Sequence, residues 1–407
     1  MSARSSYLSV EGGVAAPRGF RAVGVSAGLK ASGRPDVALV AADAAAPAAA
    51  VFTTNSVAAA PVVVSREHMA AGLARAAVVN SGNANACTGA QGLADARAMA
   101  DAVAVGLTCA PAEVVVASTG VIGVPLPLGP VIAGIRAAAA RLGSDPSSST
   151  AAEAIMTTDT FPKQSACAFE VGGRTMTVGG MAKGSGMIEP HMATMLAFVT
   201  TDAPLTSAGC QAALRAAVAR SFNRISVDGD TSTNDMCLLM ASGAAGGTRI
   251  GPDSPEFPIV SSAVAHVCGE LARMIVRDGE GATKLIEVTV RGAESEADAE
   301  LAAFSIADSP LFKTAVFGGD ANWGRVAMAI GKSGARVDPA AFDITFAGVA
   351  TCVAGQAVPF DEETASDALA EHDIEVCVDL HVGQGTATVW TCDLSYEYVR
   401  INGDYRT

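Results

Sequence analysis

Short apolar runs of strand length alternate along the chain with Ala-rich stretches in which apolar residues return every three or four positions. The runs VALVAA (37–42), AAVVNSG (76–82), AEVVVAST (112–119), AFVTTDA (197–203), IEVTVRG (286–292) and IEVCVDLHV (374–382) predict strands. Helices are predicted over 92–106, where Leu93, Ala96, Met99 and Val103 recur at helical spacing, and over 206–220. The segment GSDPSSST (143–150) reads as a turn before the helical AAEAIM, and GGTRIGPDSPEFP (246–258) as a loose surface segment. Strand-like and helical patterns in alternation mark an α/β or α+β chain, without a tandem repeat.

Glycine and polar residues gather in seven places, most beside a strand-like run: 80–89, 117–123, 155–163, 183–190, 226–235, 277–284 and 317–325. Loops at strand ends are where sites are usually built.

Composition narrows the chemistry. Half of the 407 residues are apolar and 17% are charged, enough for a large core in two or three domains, or in one large sandwich with a satellite domain. A formal charge of −14 and the lack of a dense Lys/Arg run argue against a nucleic-acid surface. Nine cysteines without a CxxC pair, and five scattered histidines, make a metal cage improbable; the thiols read as buried small hydrophobes in a reducing compartment. The first twenty residues hold no apolar core of signal-peptide length, and rich stretches such as AADAAAPAAAVF are broken by Asp or Pro. The expectation is a cytoplasmic protein without a membrane span.

Thr194 sits in MATMLAFVTT, just after the Gly-rich KGSGMIEP. One reading makes it a β-branched residue filling a pleat. The other makes it a nucleophile that becomes N-terminal when the chain cuts itself after Ala193. The new α-amine, with an ordinary pKa of roughly 7.7–8.0, then serves as base for its own hydroxyl. An oxyanion needs donors, and Thr119 followed by Gly120 offers a hydroxyl and an approachable N–H, or a plain glycine turn. His191 is a loop histidine or a base. Asp228 and Asp230 fail as a Ca²⁺ loop, since the sixth and twelfth positions hold Thr233 and Leu239; a polar hydrogen-bonded turn is expected. KGSG is not a Walker loop. Trp323 is expected to be a buried anchor with its N–H bonded locally.

The stretch KGSGMIEPHMATMLAFVTTDA resembles the ornithine acetyltransferase family, self-cutting enzymes of arginine biosynthesis. The resemblance extends through NSGNANACTG, ASTGVIG, AIMTTDTFPK, SVDGDTSTND, DGEGATKLIEV, SPLFKTAVFGGDANWGRVAMAIGK and YVRINGDYRT. It implies an α/β (α+β) fold of the self-processing amidase-like kind, with stacked sheets flanked by helices and a smaller C-terminal lobe at about 285–407. It also implies an α chain of residues 1–193 and a β chain of 194–407, associating as an α2β2 heterotetramer or higher assembly. Thr194 would be the nucleophile, Ala193–Thr194 the cut bond, and Thr119 and Gly120 the oxyanion hole. Thr157, Lys183, Thr194, Glu280, Asn402 and Thr407 would contact substrate.

The implied reaction is ping-pong acetyl transfer from N2-acetyl-L-ornithine to L-glutamate, with no metal or organic cofactor. Some relatives also use acetyl-CoA as a co-substrate to make N-acetylglutamate. Two departures stand out: His191, where a small polar or acidic residue is expected, and Ala321, where proline usually precedes NWGR. Two rivals remain: an amidase or aminopeptidase on the same scaffold, with water as acceptor, and a non-catalytic amino-acid-binding or structural protein.

Overall fold

The computed structural model describes residues 7–145, 148–189 and 195–404. Nine strands form the first sheet: β1 (Leu8–Ser9), β2 (Phe20–Val25), β3 (Val37–Phe52), β4 (Leu73–Asn83), β5 (Val114–Val121), β6 (Lys163–Val171), β7 (Arg174–Lys183), β8 (Leu196–Thr201) and β9 (Met236–Ala241). Their order is β1-β6-β7-β8-β9-β3-β4-β5, with β2 beside β3. The pairs β4–β5 and β8–β9 are parallel and the remaining pairs antiparallel.

The long strand β3 folds this sheet over on itself. Residues 37–42 pair with β2 on one edge, and 48–52 pair with β9 on that same edge, while β4 holds the other. The changeover falls at an irregularity between Ala41 and Ala46, next to Pro47, which has no N–H to give a ladder. The AADAAAPAAAVF stretch, whose Asp and Pro look like breaks, is therefore the bent middle of one strand.

Every central strand is apolar on both faces, so each face has to be covered. Val115 and Ala117 of β5 pack with Phe198 of β8 and Leu238 of β9 between the two halves of the sheet. The alternate residues Val114 and Val116 meet Met99, Val103 and Ile135 of the helices Gly89–Leu107 and Leu128–Arg141. On the far side Ala197 and Val199 meet Leu214, Val264 and Leu271 of the helices Ser207–Ala219 and Phe257–Arg277. The result is a helix–sheet–sheet–helix stack, the stacked sheets and flanking helices expected from the sequence.

The helix Phe257–Arg277 is long and apolar enough to cross a membrane by length and composition, where no membrane span is expected from the sequence. Its stripe from Val260 to Val276 is buried in this core, which accounts for its hydrophobicity without a bilayer.

A second sheet holds β10 (Leu285–Ala293), β11 (Asp343–Phe346), β12 (Val349–Val353), β13 (Gln356–Ala357), β14 (Asp373–Asp379) and β15 (Gly385–Cys392). Here apolar and polar residues alternate. Ile286, Val288 and Val290 are buried under helices, while Glu287, Thr289 and Arg291 between them are more exposed. Lys313 ties the two lobes: its ammonium donates to the Val227 carbonyl at 2.6 Å and to Thr391 Oγ1 at 2.9 Å. The tryptophan with a bonded ring nitrogen is Trp390, donating to Glu287 at 2.8 Å. Trp323 is only half-buried, at the start of the helix Trp323–Lys332, and no such bond is made by its ring among the described residues.

Six of the nine thiols are buried, as expected of small hydrophobes, but Cys87 is exposed. The turn ahead of AAEAIM is shorter than expected, the helix Ser149–Ala154 having begun two residues earlier.

Candidate active site

Six of the seven Gly-rich and polar clusters meet in one cleft. Its lining includes Ala84; Thr119, Gly120 and Ile122; Thr157 and Thr158; Lys183, Gly186 and Met187; Ser232 and Asn234; and Glu280. The 317–325 cluster does not line it. Instead Phe317 meets the ring of Tyr396 edge-on, centroids 5.5 Å apart, and so supports the helix Tyr396–Asp404 that brings Asn402 to the rim.

The wall at Thr119 and Gly120 follows from how β5 ends. Gly120 pairs with Gly82 at an irregular point of the ladder, at φ 130°. A Cβ there would lie 2.6 Å from the Asn83 nitrogen, so the close approach of two backbones requires glycine. Asn234 clamps the same corner, its amide donating to the Ala84 carbonyl at 2.7 Å and the Ser118 carbonyl at 2.8 Å.

The cleft floor carries a lysine and a glutamate. Lys183 ends β7, opposite Leu196 of β8, and is almost wholly buried. Burial pushes its ammonium pKa down, and Asp159 at 3.9 Å resists that most. Glu280 follows the helix Phe257–Arg277. Its N–H donates to the Ser185 carbonyl at 2.9 Å, and its Oε2 accepts from Asn402 Nδ2 at 2.8 Å.

On the other side of β8, Asp235 accepts the Met195 N–H at 2.9 Å through Oδ1. Its Oδ2 is buried and makes no geometrically complete hydrogen bond among the described residues, and burial pushes the carboxyl well above the ordinary range. The chain thus enters β8 between Lys183, at the end of one neighbouring strand, and Asp235, just before the other.

Of the expected site residues, Thr119, Gly120, Thr157, Lys183, Glu280 and Asn402 line this one cleft. Ala193, Thr194 and Thr407, and His191 with them, lie outside the described residues. Ser232 and Asn234 were expected only to belong to a polar turn. Asp228 is hydrogen-bonded within that turn to the Asp230 N–H at 3.4 Å, and it also ties the turn to the 183–190 loop by accepting the Met187 and Ile188 N–H groups at 2.6 and 2.8 Å. Their signal was the density of side-chain oxygens in SVDGDTSTND. Asp159 and Asp235 carried no signal of their own.

The sandwich and its cleft define an α/β enzyme whose site suits a small ligand bearing both charges. Along residues 21–407 the sequence matches the model of the ArgJ family. It is 55% identical over 398 residues to the arginine biosynthesis bifunctional protein ArgJ of Symbiobacterium thermophilum, covering 97% of this chain and 99% of that one. To the protein of that name from Caldanaerobacter subterraneus subsp. tengcongensis it is 50% identical over 402 residues, 98% of this chain and 99% of the relative. A crystal structure of arginine biosynthesis bifunctional protein ArgJ from Bacillus halodurans superposes with a TM-score of 0.50 at 47% identity; it covers 51% of this chain and 98% of its own. The chain belongs to the ArgJ family.

Proposed function

We propose that this arginine-biosynthesis acyltransferase cuts itself between Ala193 and Thr194. It then carries acetyl from N2-acetyl-L-ornithine to L-glutamate through an acetyl-threonine. The observation that carries the reading is the convergence of Thr119, Gly120, Thr157, Lys183, Glu280 and Asn402 on the cleft where the chain enters β8. A solved relative's chain that aligns along 98% of itself spans only 51% of this one. That is about the share held by residues 194–407, which number 407 − 193 = 214.

In the transfer, the Thr194 α-amine takes the hydroxyl proton as Oγ attacks the acetyl carbon of the donor. Thr119 and Gly120 hold the oxyanion, the C–N bond breaks, and the proton passes to the departing ornithine nitrogen. The glutamate amine then attacks the ester, and Thr194 regains its proton as N-acetylglutamate leaves. Lys183 pairs with the substrate α-carboxylate and Glu280 with the ornithine side-chain ammonium. Thr157 and Thr407 complete the contacts, with Asn402 holding the Glu280 carboxylate. No metal or organic cofactor takes part in these steps. The relatives' description as bifunctional supports acetyl-CoA as a second acetyl donor.

Denatured mass of the wild type beside Thr194→Ala tests the cut. Two fragments, the second beginning at Thr194 and both replaced by a full-length chain in the variant, are expected; an intact wild type overturns the mechanism. Product analysis tests the acceptor. Free acetate formed without dependence on glutamate would make the chain an amidase instead, and N-acetylglutamate formed from acetyl-CoA alone would establish the second donor.

A further inference from the structure

Asp159 stands at the centre of the buried charges beneath the cleft. Its Oδ1 accepts the Gly184 N–H at 2.8 Å and the Lys163 ammonium at 2.7 Å. Its Oδ2 accepts the Thr157 N–H at 2.9 Å and lies 3.9 Å from Lys183 Nζ. Lys163, fully buried, reaches on to Asp278 at 2.5 Å. Asp278 also takes the Thr160 N–H and hydroxyl, while its own carbonyl accepts the Ser185 hydroxyl at 2.6 Å. Ser185 in turn holds the Glu280 N–H. One carboxylate is therefore bonded to the loop of Thr157 and the strand end of Lys183, and stands one lysine away from the turn of Glu280.

The lengths are unequal in a useful way. Lys163 is at full hydrogen-bond distance from two carboxylates, so its ammonium is engaged inside the protein. At 3.9 Å, Asp159 is a charge neighbour of Lys183 without capturing its donors, which make no hydrogen bond among the described residues and face the cleft.

We propose that Asp159 is the positioning residue of this cleft, keeping the Lys183 ammonium charged and in place for the carboxylate of an amino-acid substrate. The inference rests on reading Lys183 as the carboxylate contact.

The groups acting on Lys183 are Asp159, Lys163, Asp235 and Glu280, with Lys30 further off. Burial favours the neutral amine, and Asp159 is the foremost group opposing it. Asp159 itself stays ionised: burial pushes its carboxyl up, but the Lys183 and Lys163 ammoniums outweigh that and hold it well below the carboxylate range.

The test is the pH profile of kcat/KM for N2-acetyl-L-ornithine, with KM and kcat separated at neutral pH, in the full self-cut enzyme. Asp159→Asn is expected to raise KM tenfold or more, change kcat less, and move the alkaline limb down by about one to three pH units. Asp278→Asn breaks the same network at its other carboxylate and should leave that limb in place. Asp159→Glu, which keeps the charge but displaces it, should raise KM with the limb unmoved, and it covers the case in which Asp159→Asn does not fold. In a Lys183→Met background, Asp159→Asn should add little further to KM.

Equal KM changes and an unmoved limb in Asp159→Asn and Asp278→Asn would overturn the proposal, leaving Asp159 a structural group. A limb that moves in Asp159→Glu would overturn it as well. A KM unchanged by Lys183→Met would instead overturn the carboxylate reading, and the role of Asp159 with it.

Discussion

Gly186 has no side chain where Glu280 needs room: a Cβ there would meet the Glu280 carboxyl carbon at 2.5 Å. Its φ is not in the left-handed region, so alanine is conformationally allowed and the clash falls on the flexible carboxylate. Gly186→Ala is expected to raise KM for the cationic donor several-fold while the two fragments still form, measured by initial rates beside denatured mass. Thr119→Ala should behave the other way round. Loss of an oxyanion donor lowers kcat about 10²–10³-fold with KM little changed, and an equal loss in KM would remove Thr119 from that role. At this scale the sequence was readable where a residue type has one chemistry, as with a lysine or a glutamate in a glycine-rich loop. It was not readable for Asp159, two places after Thr157, because a carboxylate in a loop looks the same whether it faces water or two buried lysines.

The strands were legible as elements because a run apolar on both faces, ended by glycine and polar residues, has few alternatives. Their boundaries followed less well. The strand β3 runs to Phe52, through Asp43 and Pro47, because the changeover from β2 to β9 leaves that stretch free of a regular ladder on one edge. The helix Ser207–Ala219 begins where its sequence shows a cap, Thr206 accepting the Gly209 N–H at 3.0 Å. Thr206→Ala should cost about 1 kcal/mol in denaturant unfolding, and a change below a few tenths would mean the cap is made otherwise. Ala321, in place of the usual proline, is buried against the C-terminal core, and Asn322 beside it caps the following helix through the Arg325 N–H at 3.1 Å. That loop is held by its bonds without the ring of a proline.

At the scale of the whole molecule the cut proposed at Ala193–Thr194 would pass between paired strands. Lys183 of β7 pairs with Leu196 of β8, and Phe52 of β3 with Met236 of β9, so each fragment supplies strands to the same sheet. The fragments are expected to elute together in native gel filtration and to part only in denaturant; separation without denaturant would exclude the shared sheet. Stability should also depend on pH with two signs. The carboxyl of Asp159 is depressed in the folded chain, so its contribution is complete above the unfolded value near 4 and lost as pH falls below it. Burial raises Asp228 and Asp235, which oppose folding above their unfolded values and cease to do so as acid protonates them. The denaturant midpoint should hold or rise from pH 7 to about 5 and fall below about 4. A steady fall from neutrality would show that these two buried acids do not titrate as placed.

The class of fold, the positions of the main strands, the family resemblance and six of the loops that make the cleft are legible in the order of residues alone. Those features depend on neighbours along the chain: the period of apolar residues, glycine at turns, and chemically distinct side chains in fixed motifs. Tertiary structure decided what depends on neighbours in space. It turned β3 into the hinge of a four-layer stack, buried the apolar helix Phe257–Arg277 in a core, and left 317–325 outside the cleft to support the helix of Asn402. It also set Asp159 between Lys163 and Lys183. A charge takes its role from the dielectric and the charges around it, and the chain fixes those only when it has folded.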